Sequence, residues 1–250
     1  QCTGTQGPHA VCQITAGTVG TKNATYSYDA NGNLLNGDGR AVSWSAFDKP
    51  LQIAAGGTTT NLRYGPDREL LSREEVTGAG TTATVYVGGL YEAVTLPGGA
   101  LEERHYVGDS TIVTITGRTA AVAGTSTVKY LHRDHLGSVT SITDASGAEV
   151  ESFGFDAWGK RRAPTLASLV AKVGSPWTSM GNFEKRNLTV AAILLGSGTT
   201  NRGFTGHEQL DGVGLVHMGG RVYDAEVGRF LSADPFVQDS TDLQSQNRYS

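Results

Sequence analysis

The chain has 250 residues and a formal net charge of −4 at pH 7, with 20 lysines and arginines against 24 aspartates and glutamates. This balance offers no general attraction to a phosphate backbone or an anionic lipid surface, so we expect no nucleic-acid partner. Apolar residues at 38% and charged residues at 18% are typical of a globular chain with a substantial core. The 34 glycines are about twice the usual share and predict many short strands joined by tight turns.

Both cysteines, Cys2 and Cys12, lie in the first dozen residues. They form either a local disulfide, which would close only a small loop, or two free thiols. The sequence contains no apolar run near the ~20 residues needed to span a bilayer. It begins at Gln1 with neither a basic start nor an apolar signal core, so we expect a segment of a longer protein with no membrane span.

A self-similar pattern recurs about every 20 residues in the first half of the chain. In its clearest copy, residues 26–34, alternate tyrosines lead into Asp29, then Asn31-Gly32 and an apolar residue. Alternate tyrosines fit one face of a strand, and Asn31-Gly32 supplies the positive φ angles of a tight hairpin turn. Each repeat then holds one hairpin, which must stack on its neighbours to bury its apolar face. Looser copies follow at residues 62–67, 85–89 and 104–109.

Three segments depart from this pattern. Residues 54–61 and 77–83 are small, polar and rich in Gly and Thr, and we interpret them as longer hairpin loops or ragged strand ends. Residues 163–200 form an insertion in which a helix is expected within 165–195, near residues 165–173. Its apolar run at 190–195 is too short to span a membrane and is expected to be buried.

Two stretches carry a family resemblance. The first runs through residues 130–147 and 155–159 and contains His132-Arg133-Asp134-His135-Leu136-Gly137 and Phe155-Asp156-Ala157-Trp158-Gly159. The second runs through residues 201–250 and contains Gly203-Phe204-Thr205-Gly206-His207-Glu208, Gly220-Arg221-Val222-Tyr223-Asp224, Gly228-Arg229-Phe230-Leu231-Ser232 and Asp234-Pro235. Together they resemble the C-terminal core region of the Rhs/YD-repeat family, and the upstream repeats resemble its YD repeats.

That family includes bacterial Rhs polymorphic toxins, the C components of insecticidal toxin complexes, and teneurins. The resemblance implies a mainly all-β fold, in which YD-repeat hairpins build a curved, spiralling sheet that forms part of a hollow shell. It divides the chain into a YD-repeat segment at 1–125, the start of the core at 126–162, the insertion at 163–200 and the core motif at 201–250, which ends before the expected cleavage site.

The resemblance also implies a function. The chain is expected to encapsulate a C-terminal toxin domain of the same polypeptide, in a secreted or cell-surface bacterial protein with immunity or secretion-system proteins as further partners. The core resembles an aspartyl autoprotease, and the matching aspartates are Asp211 and Asp234. Two carboxyls held close cannot both ionise cheaply, so one keeps its proton and polarises the scissile carbonyl while the other activates water.

One departure affects this site. Toxin-complex members have an arginine just before the first aspartate, where this chain has Leu210. The cation that this arginine would provide is therefore absent from this chain or is supplied by Arg221 or Arg229. The alternative is that both aspartates only order turns, as we expect for Asp29 and Asp224.

Other readings remain open. His132 and His135 would project to opposite faces of a strand with no third ligand evident, so we expect Asp134 and its neighbours to order a turn, with no metal and no cofactor. A surface adhesion or carbohydrate-binding module is a second hypothesis, because Trp44 with Phe47, or Tyr86 with Tyr91, could stack on sugars. A third, an independent hydrolase, lacks a recognisable set of nucleophile, base and orienting group. At most we expect a self-cleaving protease and not a metabolic enzyme.

Overall fold

The computed structural model describes residues 9–15, 23–162, 198–237, 239, 241–242 and 244–250. Antiparallel strands make up nearly all of its regular structure, so the all-β prediction is confirmed. The predicted helix at 165–173, the apolar run at 190–195 and Cys2 lie outside the described residues. Cys12 is disulfide-bonded, which agrees with the disulfide alternative and not with two free thiols.

The strands in chain order are β1 (Gln13–Ile14), β2 (Ala24–Tyr28), β3 (Leu34–Gly37), β4 (Arg40–Trp44), β5 (Pro50–Ala55), β6 (Thr58–Tyr64), β7 (Leu70–Thr77), β8 (Gly80–Val87), β9 (Tyr91–Thr95), β10 (Leu101–Val107), β11 (Thr111–Thr116), β12 (Thr125–Arg133), β13 (Val139–Asp144), β14 (Glu149–Ser152), β15 (Gly154–Phe155), β16 (Arg161–Arg162), β17 (Glu208–Leu210), β18 (Leu215–His217), β19 (Val222–Asp224) and β20 (Arg229–Phe230). Short 3-10 turns cover Phe204–Gly206 and Asp211–Val213.

The chain divides into two compact units. Unit 1 is Gln1–Tyr86, Thr95–Gly99 and Gly212–Ser250, and unit 2 is Val87–Val94 and Ala100–Asp211. In unit 1, β1 to β8 pair antiparallel in chain order. In unit 2, β10 to β14 do the same. Each hairpin therefore pairs with the next along the chain, as the repeat pattern predicts.

One turn geometry recurs at residues 29–33, 134–138, 144–148 and 156–160. Its first residue is an aspartate whose backbone N–H donates to the carbonyl of the fifth residue, and the N–H of the fourth residue donates back to the aspartate carbonyl. The aspartate Oδ1 also accepts the N–H groups of the third and fifth residues, at 2.8–2.9 Å for Asp29. The fourth residue is a glycine with positive φ in each copy, because the turn needs a left-handed residue before the strand resumes.

This geometry corrects the turn predicted at Asn31-Gly32. The connection is a three-residue loop with a register shift between Ser27 and Tyr28, and of the described loop residues 30–32 it is Gly32 that takes positive φ, at 84°. The Asp29 carboxylate stabilises the first part of the loop, so the positive angle is needed only at its end.

The prediction of long or ragged loops at 54–61 and 77–83 is wrong. Strands β5 and β6 continue to a two-residue turn at Gly56-Gly57, where φ is 57° and 84°. Strands β7 and β8 likewise continue to a tight turn at residues 78–79. The small polar residues of these segments are paired with the neighbouring strand in both hairpins.

The core of unit 1 draws on its sheet and on the C-terminal segment 212–250. Val42, Ile53 and Leu62 are buried on alternate positions of β4, β5 and β6. Leu215 and Val222 are buried in β18 and β19, further members being Leu34, Val213, Val216, Leu231 and Tyr249. Full burial of each such aliphatic side chain contributes roughly 1.5–3 kcal/mol.

Unit 2 has its own apolar cluster. It consists of Tyr106, Ile112, Leu131, Val139, Ile142 and Phe153, with Phe155 packed against it. The first five of these residues lie on the successive strands β10 to β13, and Phe153 lies between β14 and β15. Val139 also donates its N–H to the carbonyl of Gly203, which ties the core motif to this sheet.

Candidate functional site

Asp211 is the last residue of unit 2, and its carboxylate forms an ion pair with an arginine. Its Oδ1 lies 3.3 Å from Nε of Arg161, and the two side chains are 22% and 10% exposed. Asp211 also begins the 3-10 turn Asp211–Val213, which sets the carboxylate at the end of β17. The structure thus supplies a cation to Asp211 from β16, a source that the sequence interpretation did not consider.

Aromatic rings hold the Arg161 side chain in place. Its Cζ lies 4.7 Å from the ring centroid of Phe153 and 5.9 Å from that of Phe155. Burial lowers the pKa of Arg161, and the Asp211 carboxylate opposes this shift. A guanidinium that is stacked on rings is pre-organised, so little side-chain entropy is lost when it pairs with a carboxylate.

Asp234 is paired with a different arginine, in unit 1. Its Oδ2 lies 3.0 Å from Nη2 of Arg221, and the two side chains are 35% and 17% exposed. Arg221 stacks on Phe230 at 3.7 Å, and burial lowers its pKa, with Asp234 opposing the shift. Asp234 also accepts the N–H of Phe236 at 2.9 Å, so it orders the turn at 234–236 as well.

The predicted support residues therefore have distinct positions. Arg221 pairs with Asp234, whereas Arg229 lies in β20 with Asp224 as its cross-strand neighbour. Asp211 and Asp234 belong to different units, and each has an arginine beside it. A neighbouring cation favours the charged form of a carboxyl group.

The other aspartates singled out from sequence have turn or ion-pair roles. Asp134 Oδ1 accepts the N–H groups of Leu136 and Ser138 at 2.9 and 2.8 Å, so it orders the turn predicted there. Asp224 accepts the N–H of Glu226 and forms a buried ion pair with Arg40 at 2.8 Å. These contacts account for both carboxylates without any chemistry.

The histidines also have structural contacts. His132 Nε2 lies 3.0 Å from Thr143 Oγ1, and burial lowers the pKa of His207. Within the part of the chain that the structure describes, His, Cys, Asp and Glu side chains form no group of three or more that could hold a metal ion. No helix of the described residues is long and apolar enough to cross a membrane.

Aromatic residues proposed to stack on sugars are engaged within the protein. Trp44 donates its indole N–H to the Leu34 carbonyl at 2.7 Å. Tyr91 packs on His105 with ring centroids 4.9 Å apart and donates to Glu103 at 3.0 Å. Phe47 is 39% exposed, but its ring has Tyr64 at its edge and Arg68 over its face.

The C-terminal segment 212–250 is anchored to the unit 1 sheet by side chains from the strands and turns. Lys49 Nζ donates to the carbonyls of Gly219 and Gly220 at 2.9 and 2.6 Å. Burial lowers the pKa of Lys49, because the charged form loses water there. Tyr64 Oη lies 3.1 Å from His217 Nε2 with the two rings stacked, and Arg40 Nε donates to the Val213 carbonyl at 3.0 Å.

The end of the chain makes a further contact with the first hairpin of the repeat. Tyr249 donates its hydroxyl to the carbonyl of Gly32 at 2.8 Å and packs edge-on against Tyr28. The N–H of Leu34 donates to the carbonyl of Leu231 at 2.8 Å. The core motif therefore covers the sheet of unit 1 and reaches its N-terminal hairpin.

Comparison with known proteins shows the fold. No protein-family model and no curated protein matches the chain in sequence. A crystal structure of TcdB2-TccC3 is 18% identical, with a TM-score of 0.62 over 89% of this chain and 10% of that one. A Photorhabdus luminescens Tc holotoxin pore structure is 17% identical, with a TM-score of 0.60 over 89% of this chain and 10% of that one.

A further match indicates which part of those proteins has the same fold as this chain. A crystal structure of TcdB2-TccC3 without its hypervariable C-terminal region is 16% identical, with a TM-score of 0.57 over 91% of this chain and 12% of that one. The chain thus has the fold of a segment of these toxin-complex chains and spans about a tenth of their length. That segment is present without the hypervariable region.

Proposed function

We propose that this chain is a segment of the β-shell of an Rhs-type toxin and encloses a toxin domain of the same polypeptide. The observation that carries the proposal is the fold match to TcdB2-TccC3 over 91% of this chain in a structure that lacks the hypervariable C-terminal region. The fold that the two chains share then corresponds to the shell, and the hypervariable region corresponds to the toxin domain that the shell encloses. On this proposal the protein is secreted or exposed at the bacterial surface, with immunity or secretion-system proteins as further partners.

We further propose that the core motif cleaves its own chain downstream of Ser250. Asp211 acts as the base that takes a proton from water, while the water oxygen bonds to the scissile carbonyl carbon. Asp234, protonated, donates its proton to the carbonyl oxygen, which gives a diol. Asp211 then passes the proton that it took from water to the departing amine as the C–N bond breaks, and Asp234 regains a proton from a diol oxygen. Arg161, whose Nε lies 3.3 Å from the Asp211 carboxylate, favours the charged form that a base needs.

Arg221 and Arg229 take supporting roles in this proposal. Arg221 pairs with Asp234 and must weaken that contact before the carboxyl can be protonated. Arg229 helps to define the hairpin of β19 and β20 that precedes Asp234. No cofactor is required, because hydrolysis needs only water and two carboxyl groups.

The test is the intact mass of the polypeptide produced with the residues that follow Ser250 in its gene. We expect a cut shortly after the core in the wild type, and at least a 100-fold slower cut in Asp211→Asn and in Asp234→Asn. Asp144→Asn is the matched control, because Asp144 is an exposed turn aspartate whose contacts an asparagine oxygen can replace. An uncut wild type, or cutting that both core substitutions leave unchanged, contradicts self-cleavage.

A further inference from the structure

Arg161 is a buried arginine beside Asp211 that no motif of the sequence singled out. Strand β16 contains two arginines, and the alternation of the strand turns them to opposite sides. The Arg162 side chain is 66% exposed and lies 3.4 Å from Asp156, whereas the Arg161 side chain is 10% exposed and faces Asp211. Two adjacent residues of one type therefore differ in burial and in partner.

The Arg161 guanidinium retains unused hydrogen-bond donors. Nε, Nη1 and Nη2 are buried and have no hydrogen-bond partner among the described residues, and the contact from Nε to Asp211 is an ion pair at 3.3 Å. A buried donor that stays unpaired is energetically unfavourable. The planar fork of a guanidinium is suited to oxygen acceptors such as a carboxylate or a main-chain carbonyl.

We infer that Arg161 is the cation of the Asp211 carboxylate in self-cleavage, and that its terminal nitrogens bind a main-chain carbonyl oxygen of the peptide being cut. The inference rests on the proposed function, and it replaces Arg221 and Arg229 as the source of the cation beside Asp211. The Nε side orients the carboxylate, and the two terminal nitrogens, which have no acceptor among the described residues, bind that carbonyl oxygen. Phe153 and Phe155 keep the fork in position.

The kinetic test compares Arg161→Gln, Arg161→Lys and Arg162→Gln in the polypeptide that carries its downstream sequence. We expect Arg161→Gln to slow cleavage about 100-fold or more, because a charged donor to the reacting carbonyl is lost. It should also move the acidic limb of the pH–rate profile to higher pH, since Asp211 loses the cation that favours its charged form. Arg161→Lys retains the charge but not the fork and should be intermediate.

Arg162→Gln is the matched control and should cleave within about twofold of the wild-type rate, because Arg162 is exposed and does not face Asp211. A purely structural role for Arg161 would lower the unfolding temperature and the rate of cleavage together without moving the pH profile. An unmoved profile, or equal rates for Arg161→Gln and the wild type, overturns the inference.

A second readout does not depend on cleavage. In the Asp234→Asn variant, the Asp211 carboxyl carbon is followed by NMR during a pH titration. We expect Arg161→Gln, and not Arg162→Gln, to move the midpoint of that titration to higher pH. If the wild type is never cut but the midpoint moves, the proposed function fails and the Arg161–Asp211 pairing stands; an unmoved midpoint overturns the pairing itself.

Discussion

At the scale of single residues, the molecule buries charge at positions that have no role in the proposed cleavage. Glu92 in β9 is 2% exposed and has Arg104 and Arg202 within 3.7 and 3.8 Å. Arg202 also stacks on Tyr106, with its Cζ 3.6 Å from the ring centroid. Desolvation raises the pKa of Glu92, with Glu208 adding to the shift and Arg104 opposing it.

The sign of this shift predicts a pH dependence. Because the folded chain binds a proton at Glu92 that the unfolded chain has released, stability falls as the pH rises above the ordinary value of 4.5 through the raised folded pKa. Replacing Glu92 with glutamine removes that loss. We expect the drop in unfolding temperature between about pH 4.5 and pH 8 to be smaller in Glu92→Gln than in the wild type.

The matched control for this experiment is Glu149→Gln, which removes an exposed glutamate of unit 2. Its pH dependence should follow that of the wild type. If Glu92→Gln were much less stable than the wild type at every pH, the attraction between the Glu92 charge and the two arginines would outweigh the desolvation penalty. Folding would then lower the pKa of Glu92, which contradicts the predicted direction.

At the scale of elements, the recurring five-residue turn depends on both its aspartate and its glycine. Gly32 has φ of 84°, and a Cβ built there would lie 2.6 Å from the Tyr249 hydroxyl. Gly147 has φ of 83° in the same kind of turn, and a Cβ there meets nothing within 4 Å. The two glycines share the backbone requirement and differ only in their surroundings.

This pair of glycines separates backbone strain from packing. Gly147→Ala should cost about 1 kcal/mol for the left-handed conformation, measured as a change in unfolding free energy in denaturant. Gly32→Ala should cost at least about 1 kcal/mol more, because Tyr249 must move and its hydrogen bond to the Gly32 carbonyl is disturbed. Equal costs would show that the end of the chain is not held on this hairpin.

Local patterns explain which turns the sequence could predict. An aspartate followed three residues later by glycine stabilises a turn through its own backbone, so residues 134–138 could be interpreted without the fold. The strands at 54–61 were missed because their pairing, not their side-chain character, makes them strands. The ion pair of Arg161 with Asp211 joins residues on either side of residues 163–200, and no spacing rule relates them.

At the scale of the whole molecule, the proposed shell is supported by hairpins that pair in chain order and, within unit 1, by a C-terminal segment anchored on the sheet that precedes it in sequence. The anchors in unit 1 are a buried lysine, an arginine and a stacked tyrosine–histidine pair that bind backbone or side chains of residues 212–220. Buried polar contacts of this kind fix the position of a segment more narrowly than apolar packing does. If the proposed cleavage occurs, segment 212–250 is therefore expected to stay on the unit 1 sheet after the chain behind it is cut.

Encapsulation is most directly tested by treating the cleaved, full-length polypeptide with a broad-specificity protease and following the released C-terminal fragment by size-exclusion chromatography and mass spectrometry. If the shell encloses its toxin, the fragment elutes with the β-shell and withstands protease at concentrations that digest the same fragment made alone. It becomes sensitive to protease when denaturant unfolds the shell. A fragment that elutes by itself, or that is digested as fast as the isolated domain, would contradict a shell that encloses its toxin.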